Sequence, residues 1–92
     1  MSQTLIWSVA LDEAAVKELR ALGHSERHRV INYLRGKIAT REDPRRFGKA
    51  LTGDLKGLWR YRVGDVRVIA KIEDQTVTVL VLRVAHRHEV YE

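Results

Sequence analysis

Four arginines and a short histidine-bearing tail hold most of the chemistry available to this sequence. Arg60 and Arg62 stand two apart, Arg67 follows beyond a Gly64-Asp65 pair, and Arg87 lies in the closing run Arg83-Val84-Ala85-His86-Arg87-His88-Glu89-Val90-Tyr91-Glu92. A guanidinium stays charged at physiological pH and presents a planar fork of donors that matches phosphate oxygens. Imidazole titrates near neutrality, so His86 or His88 beside Arg87 could add proton transfer to anion stabilisation. Spaced at i, i+2, the same two histidines also read as a metal pair, a weak one without a third ligand. His24 and His28 read as surface or structural residues.

These groups can act together only if secondary structure brings them onto one surface. Three strand-like runs, residues 58–63, 66–73 and 76–84, are linked at Gly64-Asp65 and Asp74-Gln75, which predicts two hairpins. Side chains alternate along a strand, so Arg60 and Arg62 share one face while Trp59, Tyr61 and Val63 take the other. A two-residue turn then sets Val63 opposite Val66, Arg62 opposite Arg67 and Arg60 opposite Ile69. Directly paired residues share a face. Arg60, Arg62 and Arg67 are therefore expected on one open, concave side of the sheet, with Lys71 farther along, and the apolar set beneath the helices.

Upstream, residues 4–9 predict a first strand with Leu5, Trp7 and Val9 at period two. Asp12 is placed to cap a helix carrying Ala15, Leu19 and Leu22, and Gly23 to stop it. Ser25 offers a second cap, and Val30, Ile31, Leu34 and Ile38 form an apolar stripe reaching about Ala39. From 40 to 57 the chain is a polar, basic connector, broken by Asp43-Pro44 and punctuated by Gly48, Gly53 and Gly57. Residues 77–82 are apolar on both faces and predict a central strand. The order is β-α-α-β-β-β: an α+β domain spanning 1–92, with a helical hairpin packed on a four-stranded, mainly antiparallel sheet.

Composition narrows the classes of function. Seventeen Lys+Arg against 12 Asp+Glu leave a formal net charge of +5. The excess is one-sided, net +1 over residues 1–44 and +4 over 45–92, which favours an anionic partner such as nucleic acid. With no cysteine in the chain, disulfides, thiolate nucleophiles and Cys-based zinc sites are excluded. No apolar run approaches the roughly 20 residues that span a bilayer. Residues 1–9 lack the basic start and long apolar stretch of a secretory signal, so a cytoplasmic location with no membrane partner is the expectation.

The stretch Leu51-Thr52-Gly53-Asp54-Leu55-Lys56-Gly57-Leu58-Trp59-Arg60-Tyr61-Arg62-Val63-Gly64-Asp65-Val66-Arg67-Val68-Ile69 resembles the RelE family of bacterial toxins. A second block, Val81-Leu82-Arg83-Val84-Ala85-His86-Arg87-His88-Glu89-Val90-Tyr91, is similar to that family's last strand and basic, tyrosine-ended tail. With the helical hairpin, the resemblance covers nearly the whole chain and is specific for the RelE/ParE superfamily. It implies the toxin of a type II toxin-antitoxin system: a ribosome-dependent endoribonuclease that cleaves mRNA in the A site. There the messenger's 2′-hydroxyl attacks the adjacent phosphate and leaves a 2′,3′-cyclic phosphate, with no metal or other cofactor.

Carried over by position, the resemblance gives Arg62, Arg67 and Arg87 the scissile phosphate and Arg60 the orientation of the messenger. Tyr91 would stack on a base or join in proton transfer. Lys49, Lys56, Arg45 and Arg46 in the connector would contact 16S ribosomal RNA, where charge matters more than geometry. Arg60 and Arg62 stand where relatives often carry lysines, and arginine is a poor general base, which points to His86 for proton transfer, with His88 the alternative. The implied partners are a RelB-like antitoxin, the ribosome with its mRNA, and operator DNA through the antitoxin complex. A ParE-like toxin that blocks DNA gyrase without cleaving RNA is the alternative.

Overall fold

The computed structural model describes residues 5–89. Strand β1 (Ser8–Leu11) leads into α1 (Glu13–Ala21), and α2 (His24–Tyr33) follows after Leu22 and Gly23. After a connector of short helical turns come β2 (Lys49–Ala50), β3 (Trp59–Val63), β4 (Val66–Glu73) and β5 (Thr78–His86). The sheet has five strands in the order β1-β5-β4-β3-β2. β1 runs parallel to β5, and every other neighbouring pair is antiparallel. The α+β class holds, and the fifth strand is the two-residue β2, too short to leave a periodic signal.

Local boundaries follow from which backbone groups find partners. The first strand begins at Ser8 because pairing exists only where β5 runs alongside, Ser8 against Thr78 through Leu11 against Val81. Asp12 stands at the N-cap of α1 without a side-chain capping bond; its carbonyl accepts from the Val16 N–H at 2.9 Å. α2 begins before the expected Ser25 cap, with Gly23 as its N-cap. Its end widens into a π-helical turn, Leu34–Ile38, in which the Ala39 N–H reaches the Leu34 carbonyl at 2.8 Å. Leu34 and Ile38, four apart, both point into the core.

The helices cover one face of the sheet. Ala15, Leu19 and Leu22 of the first helical segment and Val30, Leu34 and Ile38 of the second pack on Tyr61, Val63, Val66, Val68, Ala70, Val79, Val81 and Val84. In β3 and β4 that set is every second residue, as period-two alternation requires; in β5 the step from Val81 to Val84 is three, because the register slips at Leu82. β5 is central, between β1 and β4. Its Val79 and Val81 are fully buried, whereas Leu80 and Leu82 are half-buried on the other side. No helix among the described residues is long and apolar enough to cross a membrane.

The two hairpin turns differ as their residues demand. Gly64 takes φ +62° at the first turn position, which glycine adopts without a Cβ penalty. The second link is longer than two residues: Asp74–Thr76 form a helical turn and Val77 sits at φ +48°, ψ +50°. A β-branched residue in the left-handed region is strained. Val77→Asn is expected to raise stability by about 0.5–1 kcal/mol, read as a shift in the urea midpoint at unchanged slope.

Candidate functional site

The β3–β4 register is the expected one: Val63 opposes Val66, Arg62 opposes Arg67 and Arg60 opposes Ile69. The next row extends the surface, because Arg67 opposes Ala85 in β5. Immediately after β5 the Arg87 N–H donates to the Asp65 carbonyl at 2.8 Å, which ties the start of the tail to the hairpin turn. Arg62 and Arg67, whose paired backbones lie about 5 Å apart, and Arg87, tied to Asp65, thus gather at one end of the sheet.

The face is not open throughout. Arg62 and Arg87 are exposed, but Arg60 is only 7% exposed and Arg67 3%. Arg67 donates through Nη1 to the carbonyls of Gly64 (3.0 Å) and Val66 (3.3 Å), so part of its fork holds the turn. Ile69, Ala85 and Leu51 are also buried and lie outside the main core. The alternation put the arginines on the right face; long-range packing buried two of them. A buried guanidinium is tolerated only when hydrogen-bonded, as Arg67 is here.

The direction of β5 as it enters the tail is set by two helix carboxylates. β1 accompanies β5 only as far as Val81, and the β4 register slips between Ile69 and Ala70, leaving Leu82 unmatched. Beyond that point Glu18 of α1 accepts from Arg83 Nε (3.0 Å) and Nη2 (2.8 Å) and from the Val84 N–H (2.8 Å). Burial by itself would raise the Glu18 pKa; the hydrogen bonds from Arg83 and Val84 and the Arg83 charge outweigh it and hold the carboxyl below its ordinary value. Glu26 of α2 meets His86 Nε2 at 3.0 and 3.1 Å. Nothing in the local pattern marks Glu18 or Glu26, since an acidic residue on a helix reads as solvent-facing.

That contact settles where His86 points. His86 pairs with Val66, a core-side position, and its ring reaches the helices rather than the Arg62–Arg67 face. An ionised carboxylate only accepts, so Nε2 carries a proton toward Glu26. His88, exposed, stacks its ring on His86 at 5.9 Å. The structure therefore does not bring His86 to the arginines. Tyr91 lies outside the described residues. No group of three His, Cys, Asp or Glu among the described residues could hold a metal ion.

The connector cations divide into two kinds. Lys49 pairs directly with Arg60 across β2–β3, so it shares the arginine face at its outer edge, and it is exposed, as is Lys56. Arg45 instead forms a fork on Asp74 (Nη1 3.1 Å, Nη2 2.6 Å), bonds Asp43 at 3.3 Å and lies over the Trp59 ring. The hydrogen bond from Arg45 lowers the Asp74 pKa and raises that of Arg45 in turn. Arg45, expected among the RNA-contacting cations, thus fastens the connector to the β4–β5 loop. Arg46 pairs with Glu42 at 3.1 Å and lies over the Phe47 ring.

Residues 9–91 match the profile of a family described as the ParE toxin of type II toxin-antitoxin systems. Toxin RelG of Mycobacterium tuberculosis is 31% identical over 85 residues, 92% of this chain and 95% of RelG. Toxin RelE of the same organism is 31% identical over 91 residues, 99% of this chain and 92% of RelE. Among solved structures, the chain is similar to one in the toxin-antitoxin complex RelBE2 from M. tuberculosis, with a TM-score of 0.83 and 29% identity over 95% of this chain and 98% of that one.

Proposed function

This chain belongs to the RelE/ParE superfamily of type II toxin-antitoxin toxins, and on that footing we propose that it is a ribosome-dependent endoribonuclease, cutting mRNA in the A site of cytoplasmic ribosomes. The observation that carries the reading is the gathering of Arg62, Arg67 and Arg87, completed by the bond from the Arg87 N–H to the Asp65 carbonyl. In the reaction the 2′-oxygen attacks phosphorus and the P–O5′ bond breaks, leaving a 2′,3′-cyclic phosphate and a 5′-hydroxyl. Negative charge builds on the phosphoryl oxygens, where preorganised guanidinium donors lower the barrier most. Arg62 and Arg87, exposed, contact those oxygens; Arg67 stands between them with its charge fixed by the turn, and Arg60 steadies the messenger from the next row. His86 is turned toward Glu26 and away from the arginines, which leaves His88 and Tyr91 as the residues proposed to move a proton.

A RelB-like antitoxin is the proposed protein partner, as the relative in the RelBE2 complex is held with one. An apolar segment of it would enter the groove of about 330 Å³ lined by Val9, Leu11, Leu19, Ile31 and Leu34 beside the free edge of β1. Operator DNA would be met through that complex. The ParE description of the matched family supports a second reading, gyrase inhibition without RNA cleavage. One experiment separates the two. Purified protein is added to a translating extract and mRNA 5′ ends are mapped by primer extension, beside a gyrase supercoiling assay. Codon-phased cuts that require ribosomes are expected; intact messenger with blocked supercoiling would overturn the endoribonuclease reading.

A further inference from the structure

Phe47 stands apart from the other aromatic residues. Among the described residues it is the one exposed aromatic, at 44%, while Trp7, Tyr33, Trp59 and Tyr61 are half-buried or buried. Its exposure is built in. The turn Pro44–Phe47 is anchored from inside by the buried Tyr61 hydroxyl, which donates to the Pro44 carbonyl at 2.8 Å, and is opened by Asp43, whose carboxylate accepts from the Arg45 N–H at 2.9 Å. Gly48 then passes close to the sheet: a Cβ there would lie 3.1 Å from the Tyr61 ring and 3.3 Å from that of Trp59. With both sides of the turn held, the ring is left facing water.

Cations surround that ring. Arg46 Cζ lies 4.5 Å and Lys37 Nζ 5.1 Å from its centroid. Residues 34–50 carry six basic side chains against Glu42 and Asp43, so +4 of the chain's +5 sits in this stretch. Division by halves hides this, because the stretch straddles the midpoint. Lys49, next but one to Phe47, pairs with Arg60 and joins the patch to the arginine row.

We propose that Phe47 and the Arg46 guanidinium form a stacking platform for an unpaired RNA base, with Lys37 and Lys49 meeting the phosphates on either side. The proposal deepens the endoribonuclease reading by naming a second RNA contact, beside the β2 edge of the sheet, linked to the arginine row through Lys49. A planar ring beside a guanidinium, set among lysines, suits a base and its backbone: aromatic and guanidinium planes stack on any base, and lysine serves phosphate as a point charge. An amphipathic peptide helix would need an apolar groove to receive several anchors. Phe47 is a single ring among cations, and the apolar groove lies elsewhere, between β1 and the helices.

The test uses the full chain, with two probes: a fluorescein-labelled single-stranded RNA decamer read by anisotropy, and 70S ribosomes read by cosedimentation. Phe47→Ala and Phe47→Leu are each expected to weaken decamer binding about 5- to 100-fold, the range of one lost base stack, and Phe47→Trp to restore it. Lys37→Ala is expected to lower the slope of log affinity against log salt by about 0.7, whereas the Phe47 variants leave the slope unchanged. Decamer and ribosome binding within twofold of wild type in both Phe47→Ala and Phe47→Leu would overturn the platform. So would unchanged RNA binding accompanied by lost affinity for an acidic peptide, which would assign the patch to a protein partner. Binding is read apart from cleavage: a wild-type chain that binds RNA through Phe47 but never cuts messenger keeps the platform and loses the endoribonuclease reading.

Discussion

Arg87→Ala is expected to slow ribosome-dependent cleavage by about 10²–10³-fold while leaving stability within about 0.5 kcal/mol of wild type. The two halves of that expectation rest on different atoms. Arg87 is exposed and its backbone is held at the hairpin turn, from where its guanidinium would meet charge developing on a phosphoryl oxygen. Its backbone N–H, which makes the bond to the Asp65 carbonyl, survives substitution by alanine. Arg67→Ala should behave differently, because its buried side chain also donates to the Gly64 and Val66 carbonyls. Loss of those bonds costs about 1–3 kcal/mol of stability besides any activity. Single-turnover cleavage and thermal melts of the two variants side by side check both statements. Wild-type cleavage by Arg87→Ala would remove it from the site.

Tyr61→Phe is expected to destabilise the fold by about 1–3 kcal/mol at neutral pH, because it strands the buried Pro44 carbonyl. Its larger signature is in alkali. Burial, with the neighbouring Tyr33 and Asp43 against the opposing pull of Arg45, pushes the Tyr61 phenol up to about 12. In the unfolded chain a tyrosine titrates near 10, so between pH 10 and 12 the unfolded state loses the proton first and the folded state is penalised. Stability from this group is whole below pH 10 and falls by roughly 2–3 kcal/mol in total as the pH passes through the folded value. Urea midpoints at pH 9, 10, 11 and 12 should fall for wild type and fall less for Tyr61→Phe. Parallel declines would place the alkaline loss elsewhere. The same hydroxyl anchors the turn that bears Phe47, so Tyr61→Phe is also expected to loosen the platform.

Much of the site was legible because it is local. Period-two alternation and a two-residue glycine turn suffice to seat Arg62 against Arg67 and Arg60 against Ile69, and the structure has that register. The apolar stripe Val30, Leu34, Ile38 likewise identified the inner side of the second helix, although the π-helical turn at its end left no mark in the pattern. The two-residue β2 was illegible for want of length. His86 misled for a plain reason: neighbours in a strand point to opposite faces, so with Ala85 paired to Arg67, His86 pairs with Val66 and takes the core side.

The sequence by itself determined which residues of the β3–β4 hairpin share a face, because side-chain direction there follows from backbone period and turn length; the slip at Leu82 in β5 came with the fold. The sequence also determined the excess of positive charge and the absence of thiol chemistry. Only the tertiary structure decided which charges are available. Arg45 is committed to Asp74, 29 residues away, His86 to Glu26, 60 away, and Arg83 to Glu18, 65 away. Arg60 and Arg67 are buried while Arg62, Arg87 and Lys49 are exposed. Such pairings depend on which elements pack together, and electrostatic attraction acts through space with no periodicity along the chain. Net charge therefore marks an anionic partner, and the fold chooses the cations left to meet it.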